Sequence, residues 1–269
     1  MSPASSVLFT CEDGLARLTL NRPDVANTLD REMSEALFKA TIECDENKSI
    51  RAVLLTGNGK LFCGGGDING FAAAGESVSR MAKELTTILN AVVSRFLRMN
   101  KPLVVAVNGP AAGAGLSLAM LGDIVVAAPQ AHFSVAYTAV GLTPDLGASW
   151  LLPRLVGLRR AQELALTNRR VMAPEAAQIG LITQVAQQDA LAEAEAIAKL
   201  LAQGATGALG RTKALLARSF TTGLEEQMEL EARSIAQALS GAEGQEGISA
   251  FLNKTKPRFS ELCQAPSSF

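Results

Sequence analysis

The sequence has 269 residues, of which 48% are hydrophobic and 19% are charged, and its formal net charge is −1. This composition is typical of a globular protein with a sizeable core, and the balanced charge gives no electrostatic reason to expect nucleic acid binding. Four isolated cysteines argue against a zinc site or a disulfide framework and fit a reducing compartment. No apolar run approaches the ~20 residues of a membrane span, and the N-terminus lacks the features of a signal peptide, so we expect a cytoplasmic protein without membrane contacts.

The hydrophobic pattern predicts strands and helices in alternation. Short runs that are apolar or alternate with polar residues predict strands at 7–10, 15–20, 52–56, 103–107, 124–127 and 132–135, with a further candidate at 181–185. The first two strands flank a turn at 12–14 and form a predicted hairpin. Helical periodicity predicts helices at 31–47, 76–99, 116–121 and 148–152. Asp30 is the expected N-cap of the first helix, and Pro153 is expected to end the last.

Strands concentrate in the first two-thirds of the chain, and helical patterns dominate from Leu158 onward. Glycines between Gly204 and Gly210 mark a soft boundary, which divides a core at 1–203 from a helical region at 204–269. The apolar residues of that region fall on more than one helix face, a pattern that requires a packing partner. They are Leu215, Leu216, Phe220, Leu224, Met228, Leu230, Ile235 and Leu239.

The central stretch of the chain joins a buried strand to a turn that has almost no side chains. The apolar run Leu103–Val107 is followed by Asn108-Gly109-Pro110, by Gly113-Ala114-Gly115 and then by a helical segment. Backbone N–H groups at such a helix start favour an anion, or an oxygen that becomes an anion during a reaction. The alternative is that small residues only let the helix pack closely on the sheet.

A second glycine turn, Gly64–Gly66, lies upstream between Phe62 and Ile68, two residues that we expect to be buried. Three consecutive glycines allow a ligand to approach the backbone closely, although they also fit a flexible turn. Because both turns precede a predicted helix, each would supply one N–H to a single oxyanion hole.

Together these motifs carry a family resemblance. The segments NRPDVANTL, FCGGGDI, NGPAAGAGLSLAMLGDIVVAA and GLTPDLGASWLLPRLVGLRRAQEL follow one another in the chain, and FLNKTKPRF lies near its end. Their order and spacing resemble the crotonase (enoyl-CoA hydratase/isomerase) superfamily over essentially the whole chain. The resemblance implies an α/β fold built as a spiral of ββα units, with a helical C-terminal trimerisation region. It also implies a homotrimer, or a hexamer made of two trimers.

The resemblance further implies an acyl-CoA thioester as substrate, with its carbonyl oxygen held by the N–H groups of Gly66 and Ala114. Alanine stands where the family commonly has glycine, but it retains the N–H. Since CoA is part of the substrate, no separate cofactor and no metal are expected. We predict substrate contacts from residues in or near the matching motifs: Ala26, Gly64, Asp67, Ile68, Gly113, Tyr137, Leu142, Phe251 and Lys254.

The two glutamates of typical hydratases would fall at Ser117 and near Tyr137, and neither residue is a carboxylate here. Hydration needs groups that position water and exchange its protons, so the loss of both argues against a hydratase. Ser117 is then expected to be an ordinary helix residue. Tyr137 either belongs to the core or lies beside the acyl group.

Asp145 matches a position that carries a catalytic carboxylate in several subfamilies. We predict that it is the base of an enoyl-CoA isomerase, in an apolar setting of Leu142, Leu146 and Trp150 that raises its pKa. Three alternatives stay open. Asp145 would attack the ring of an aromatic acyl-CoA in a dehalogenase or hydrolase, although only 4% of the chain is aromatic. It would merely cap the following helix, or the protein would bind CoA without catalysis.

Overall fold

The computed structural model describes residues 5–263 and shows a mixed α/β fold. Within these residues the strands are β1 (Val7–Glu12), β2 (Leu15–Leu20), β3 (Ala52–Gly57), β4 (Leu103–Val107), β5 (Ala111–Ala112), β6 (Ile124–Ala127), β7 (His132–Ser134), β8 (Val171–Met172) and β9 (Gln184–Val185). The helices are α1 (Arg31–Glu46), α2 (Ile68–Ala73), α3 (Val78–Arg98), α4 (Ala114–Ala119), α5 (Ala148–Val156), α6 (Leu158–Thr167), α7 (Ala173–Gln178), α8 (Ala190–Ala202), α9 (Thr206–Arg218), α10 (Leu224–Ser240) and α11 (Ala242–Leu252).

Two sheets organise the fold. The larger has the order β1-β2-β3-β4-β6-β9, in which β1 and β2 are antiparallel and every later pair is parallel. The smaller has the order β5-β7-β8. The predicted first hairpin is confirmed, with Asp13 and Gly14 in its turn at positive φ, a conformation that suits glycine and is tolerated by aspartate.

The chain passes repeatedly from the large sheet to the small one and then into a helix. After β4 it enters β5 and α4, and after β6 it enters β7. After β3 it reaches the same second layer, where Cys63 bridges Ala111 in parallel and Gly66 bridges Leu29. This repeat is a spiral of ββα units, so the fold expected from the resemblance is confirmed.

The core lies around the central strands of the large sheet. Every residue of β3 and β4 is buried, as expected for parallel strands covered on both faces. Helix α8 lies on these strands with one face made entirely of small residues, which permits close contact between helix and sheet. The buried residues of this face are Ala190, Ala194, Ala198 and Ala202.

Most predicted elements are confirmed, including α1 with its cap, because the N–H of Met33 donates to Asp30 Oδ1 at 2.9 Å. The expectation that Pro153 ends α5 is wrong, since the helix continues to Val156 and ends at Gly157. An interior proline loses one hydrogen bond and crowds the carbonyl four residues earlier, which either kinks or breaks a helix. Here the helical residues continue beyond it. The strand candidate at 181–185 shortens to β9, and β8 has too few residues to show a pattern.

The region after residue 204 folds as helices α9, α10 and α11. Every residue of α10 is at least partly exposed in the single chain. The exposed apolar side chains of α9, of α10 and of the turn between them are Leu216, Phe220, Leu224, Met228, Ile235 and Leu239. The division at residue 204 and the assembly into trimers stay predictions. No helix within residues 5–263 combines the length and apolar character needed to cross a bilayer.

Candidate active site

The two glycine turns lie against each other. The N–H of Ala112 donates to the carbonyl of Cys63 at 3.0 Å. A Cβ added to Gly65 would lie 2.9 Å from the Ala112 carbonyl oxygen and 3.4 Å from the Ala114 nitrogen, and the φ of Gly65 is +102°. Only glycine combines this backbone conformation with this closeness. Gly65 is therefore required by a close approach of two backbones, whereas the sequence had suggested only that a ligand approaches this turn.

Two backbone N–H groups are unpaired at this contact. Within the described residues, neither Gly66 nor Ala114 donates its N–H to a protein acceptor. Ala114 is the first residue of α4, where helix geometry leaves the N–H without an intrahelical partner. Leu29 donates to the Gly65 carbonyl at 2.8 Å and accepts from the Asp67 N–H at 3.3 Å, so the N–H of Gly66 is directed away from Leu29. This arrangement is compatible with an oxyanion hole.

Asp145 lies in the loop before α5, and its carboxylate does not cap that helix. The N-cap is Gly147, at φ +74°, and no side chain caps it. Instead, the hydroxyl of Tyr137 donates to Asp145 Oδ1 at 2.6 Å, and Ser117 Oγ lies 3.2 Å from the same hydroxyl. The capping alternative for the Asp145 side chain is therefore wrong, and the carboxylate belongs to a chain of polar groups.

Opposing effects act on the proton affinity of this carboxylate. Burial raises the pKa of Asp145, and the hydrogen bond from Tyr137 opposes that rise without cancelling it. Burial, together with the adjacent Asp145 charge, raises the pKa of Tyr137 far above its usual value, so the tyrosine stays a donor. The predicted rise at Asp145 is confirmed, but its setting is not the one expected. Leu146 is buried, whereas Leu142 and Trp150 are 45% and 42% exposed.

Trp150 does not supply the buried apolar surface that was expected of it around Asp145, since its side chain is 42% exposed. The Arg154 guanidinium covers the Trp150 ring and lies 3.8 Å from its centroid. The same guanidinium lies 5.6 Å from the centroid of the Phe220 ring. A guanidinium stacks favourably on an aromatic face at these distances, so the ring is stabilised at the surface without burial.

Ser117 is fully buried in α4, as expected of a helix residue. Its hydroxyl also lies 3.4 Å from the carbonyl oxygens of Gly113 and Asp145. The sequence did not predict the chain Ser117–Tyr137–Asp145. The available signal was that Ser117 and Tyr137 both stand where typical hydratases have carboxylates, which places them around one reaction centre.

A cavity of about 160 Å³ adjoins the hydrogen-bonded side chains of Ser117, Tyr137 and Asp145. It is lined by Gly113, Tyr137 and Pro144 and by mostly apolar residues on or next to α4, α5 and α6, with Ser149 and Gln162 as polar exceptions. The apolar residues include Leu116, Met120, Leu152, Leu158 and Ala161. An apolar cavity of ~150 Å³ is large enough to hold benzene. The space beside the unpaired N–H of Ala114 therefore suits a compact apolar group.

The other predicted contact residues form one group around the Gly64–Gly66 turn and a second group near the C-terminal end of the described residues. Ala26 and Gly64 are joined, because the Gly64 N–H donates to the Ala26 carbonyl at 2.8 Å. Asp67 precedes α2 but makes no side-chain cap, and its Oδ2 would lie 2.9 Å from a Cβ on Gly70. Ile68 was expected to be buried and is 51% exposed, so it stays available to a ligand.

Phe251 and Lys254 lie at and just beyond the end of α11. Phe251 is 83% exposed, and within the described residues no hydrogen bond or ring contact joins either residue to the glycine turns. The single chain thus brings together the two glycine turns, Tyr137 and Asp145. Phe251 and Lys254 stay in the C-terminal helical region.

Comparison with known proteins finds relatives that act on acyl thioesters, by the names they carry. The enoyl-CoA hydratase/isomerase family model matches residues 10–262. The chain is 39% identical to the 1,2-epoxyphenylacetyl-CoA isomerase of Escherichia coli (strain K12), with 94% of this chain and 97% of that protein covered. It is 28% identical to a trans-2-decenoyl acyl-carrier-protein isomerase of Streptococcus mutans over the same shares.

A solved structure agrees with the sequence relatives. The crystal structure of an enoyl-CoA hydratase from Polaromonas sp. JS666 superposes with a TM-score of 0.89 at 35% identity, covering 93% of this chain and 98% of that one. The family match extends over nearly the whole chain, and the fold agrees over the same length. The protein belongs to the enoyl-CoA hydratase/isomerase family of acyl-CoA enzymes.

Proposed function

We propose that this protein shifts a carbon–carbon double bond along the acyl group of an acyl-CoA thioester. The observation that carries the proposal is the partly buried Asp145 carboxylate, held by Tyr137 beside a mostly apolar cavity. Gly113, which lines this cavity, is next in the chain to Ala114, whose N–H is unpaired. A thioester carbonyl at the two N–H groups would place its acyl carbons within the same cavity.

The first step is stabilisation of negative charge on the thioester oxygen. The N–H groups of Gly66 and Ala114 would donate to that oxygen, and one such donor is worth ~10²–10³ in rate. With the oxygen stabilised, a proton on the carbon beside the carbonyl, or on the vinylogous carbon, becomes acidic. Removal of that proton gives a dienolate with its charge largely on the held oxygen.

Asp145 would remove this proton, hold it as the neutral acid and return it to a different carbon. The proton count is unchanged over the cycle, and the double bond has moved. Because burial raises the pKa of Asp145, the carboxylate is a stronger base than an exposed aspartate. The Tyr137 hydroxyl occupies Oδ1, which leaves Oδ2 for the substrate.

Hydration is disfavoured by the groups around the same centre. Ser117 and Tyr137 stand where typical hydratases have glutamates, and their hydroxyls interact with each other and with Asp145. Hydroxyls of this kind do not remove a proton from water near neutral pH, whereas paired carboxylates exchange protons readily. Relatives with isomerase names support the isomerase reaction, although the family also contains hydratases.

The cavity supports a compact acyl group, up to the size of a six-membered ring. The name of the Escherichia coli relative includes a phenylacetyl-derived group, which agrees with that size. The same observation supports a second candidate, in which Asp145 attacks the ring of an aromatic acyl-CoA as a nucleophile. We rank it lower because Tyr137 is the one aromatic residue among the described residues that line the cavity.

A CoA-binding protein without catalytic activity is the third candidate. It loses support because the Asp145 carboxylate is held beside the cavity by Tyr137 and is not used as a helix cap. In the catalytic proposal, the CoA portion of the substrate lies along Ala26, Gly64 and Ile68, and no cofactor is needed beyond it.

The decisive experiment offers a panel of compact 3-enoyl-CoA thioesters to the purified protein in deuterated water. We expect the ultraviolet absorbance of the conjugated thioester to appear and deuterium to enter the acyl group. Asp145→Asn should abolish both, whereas the matched control Asp189→Asn, which changes an exposed cap of α8, should leave both unchanged. An aryl ester on Asp145, formed with loss of halide from an aromatic acyl-CoA that carries a ring halogen and detected by mass spectrometry, would instead establish the nucleophile.

A further inference from the structure

The loop before α1 holds the glycine turn that carries Gly66. Asn27 in this loop is fully buried, and its φ is +52°, a left-handed conformation that asparagine adopts more readily than most residues. Asn27 belongs to the NRPDVANTL motif. The reaction proposed above makes no use of its side chain.

The Asn27 side-chain amide is saturated with hydrogen bonds. Its Nδ2 lies 2.9, 3.0 and 3.1 Å from the carbonyl oxygens of Asn58, Leu61 and Phe62, so its two hydrogens are shared among three acceptors. Its Oδ1 accepts from the N–H of Arg22 at 2.8 Å. The three carbonyls belong to the turn that leads from β3 into the glycine segment, and buried carbonyls are costly to leave unpaired. One side chain therefore sets the path of this turn.

Backbone carbonyls of the same loop also accept hydrogen bonds from the two residues that precede Gly65 and Gly66. The Asn27 carbonyl accepts from the Cys63 thiol at 3.1 Å, and the Ala26 carbonyl accepts from the Gly64 N–H at 2.8 Å. Burial raises the pKa of the Cys63 thiol to about 12, so the sulfur keeps its proton and donates it. The glycine segment is thus held at successive residues from one side.

We propose that Asn27 is a positioning residue that aims the Gly66 N–H at the thioester oxygen, with the Cys63 thiol as its second link. The proposal rests on the oxyanion hole of the proposed function. Leu29 donates to the Gly65 carbonyl and accepts from the Asp67 N–H, so the Gly66 N–H is directed away from Leu29. A Cβ on the neighbouring Gly65 would lie 3.4 Å from the Ala114 nitrogen, so the Ala114 N–H is close to this segment. An oxyanion donor must lie about 2.7–3.1 Å from the oxygen, so a small shift of this segment weakens the bond.

The test measures the hydrogen bonds to the carbonyl directly. Acetyl-CoA labelled with ¹³C at the thioester carbonyl has no double bond to move and serves as the probe. Isotope-edited infrared difference spectra should show the bound carbonyl stretch at lower frequency than in solution. In Asn27→Gly, which suits the left-handed backbone, we expect at least half of this shift to be lost, with the Kd for free CoA unchanged within threefold.

The matched control is Asn58→Ala, which removes an exposed amide of the same turn that donates to Asn21 Oδ1 at 2.9 Å. It should keep the full carbonyl shift. An equal shift in folded Asn27→Gly and in the wild type would overturn the positioning role and leave the oxyanion hole intact. No shift in the wild type would instead refute the hole and, with it, the basis of the proposed function.

A second pair of variants decides the question where Asn27→Gly fails to fold. Cys63→Ala removes the thiol link, and Cys63→Ser restores a donor at the same place. We expect a partial loss of the carbonyl shift in Cys63→Ala and its recovery in Cys63→Ser. A shift in Cys63→Ala identical to that of the wild type would overturn the proposal.

Discussion

Tyr137→Phe tests whether the tyrosine hydroxyl keeps Asp145 ionised. The substitution removes the 2.6 Å hydrogen bond to Asp145 Oδ1 and preserves the ring that lines the cavity. Burial already raises the pKa of Asp145, and this hydrogen bond opposes the rise. Its removal therefore raises the pKa further, so the base is protonated over a wider range and the acid limb of the pH–rate profile moves to higher pH.

The size of the effect follows from the value of one hydrogen bond to a charged group. Such bonds contribute about 1.5–3 kcal/mol, and the lower end applies because Asp145 is partly exposed to solvent. A cost of ~1.5 kcal/mol to the ionised form reduces its population about tenfold where protonation limits the rate. At pH values where Asp145 is largely protonated, kcat of Tyr137→Phe should be about tenfold lower than that of the wild type. The difference should disappear as the pH rises.

The measurement is kcat against pH with the substrate identified by the deuterium experiment. Ser134→Ala is the control, since it removes another partly buried hydroxyl, which donates to the Asn168 carbonyl and not to Asp145. A loss of rate that is the same at every pH would refute this role of Tyr137. An unchanged profile would show that the hydroxyl does not influence the base.

Two further predictions concern the hole and the assembly. Gly66→Pro removes one oxyanion donor, so a folded variant should lose ~10²–10³ in kcat, and turnover near the wild-type rate would exclude this hole. Circular dichroism must first establish that the variant folds. The apolar residues exposed on α9 and α10 require a partner surface, so light scattering at micromolar concentration should report a trimer or hexamer. A stable monomer would contradict this expectation.

Local pattern alone was sufficient for most of the secondary structure, whereas the spiral arrangement was expected only from the family resemblance. The apolar run Leu103–Val107 became a strand that is buried throughout, and Asp30 capped α1 as expected. Both features depend on neighbouring residues, since strand burial follows from uninterrupted apolar side chains and a cap follows from one side chain reaching the next turn. The positions of the two glycine turns were also predictable, because the absence of side chains over several residues indicates that a ligand or another element approaches the backbone closely. That the two turns lie against each other was not predicted.

Tertiary structure decided the surroundings of the candidate base. Asp145 is joined to Tyr137, eight residues earlier, and Tyr137 to Ser117, twenty residues earlier on a different element. Trp150 shows the same dependence, because its apolar character did not reveal that its ring lies partly exposed under the Arg154 guanidinium. The sequence determined which residues have the chemistry to form strands, caps and bare turns. Which polar groups meet depends on how separate turns of the spiral pack, and contacts between distant residues leave no periodic pattern along the chain.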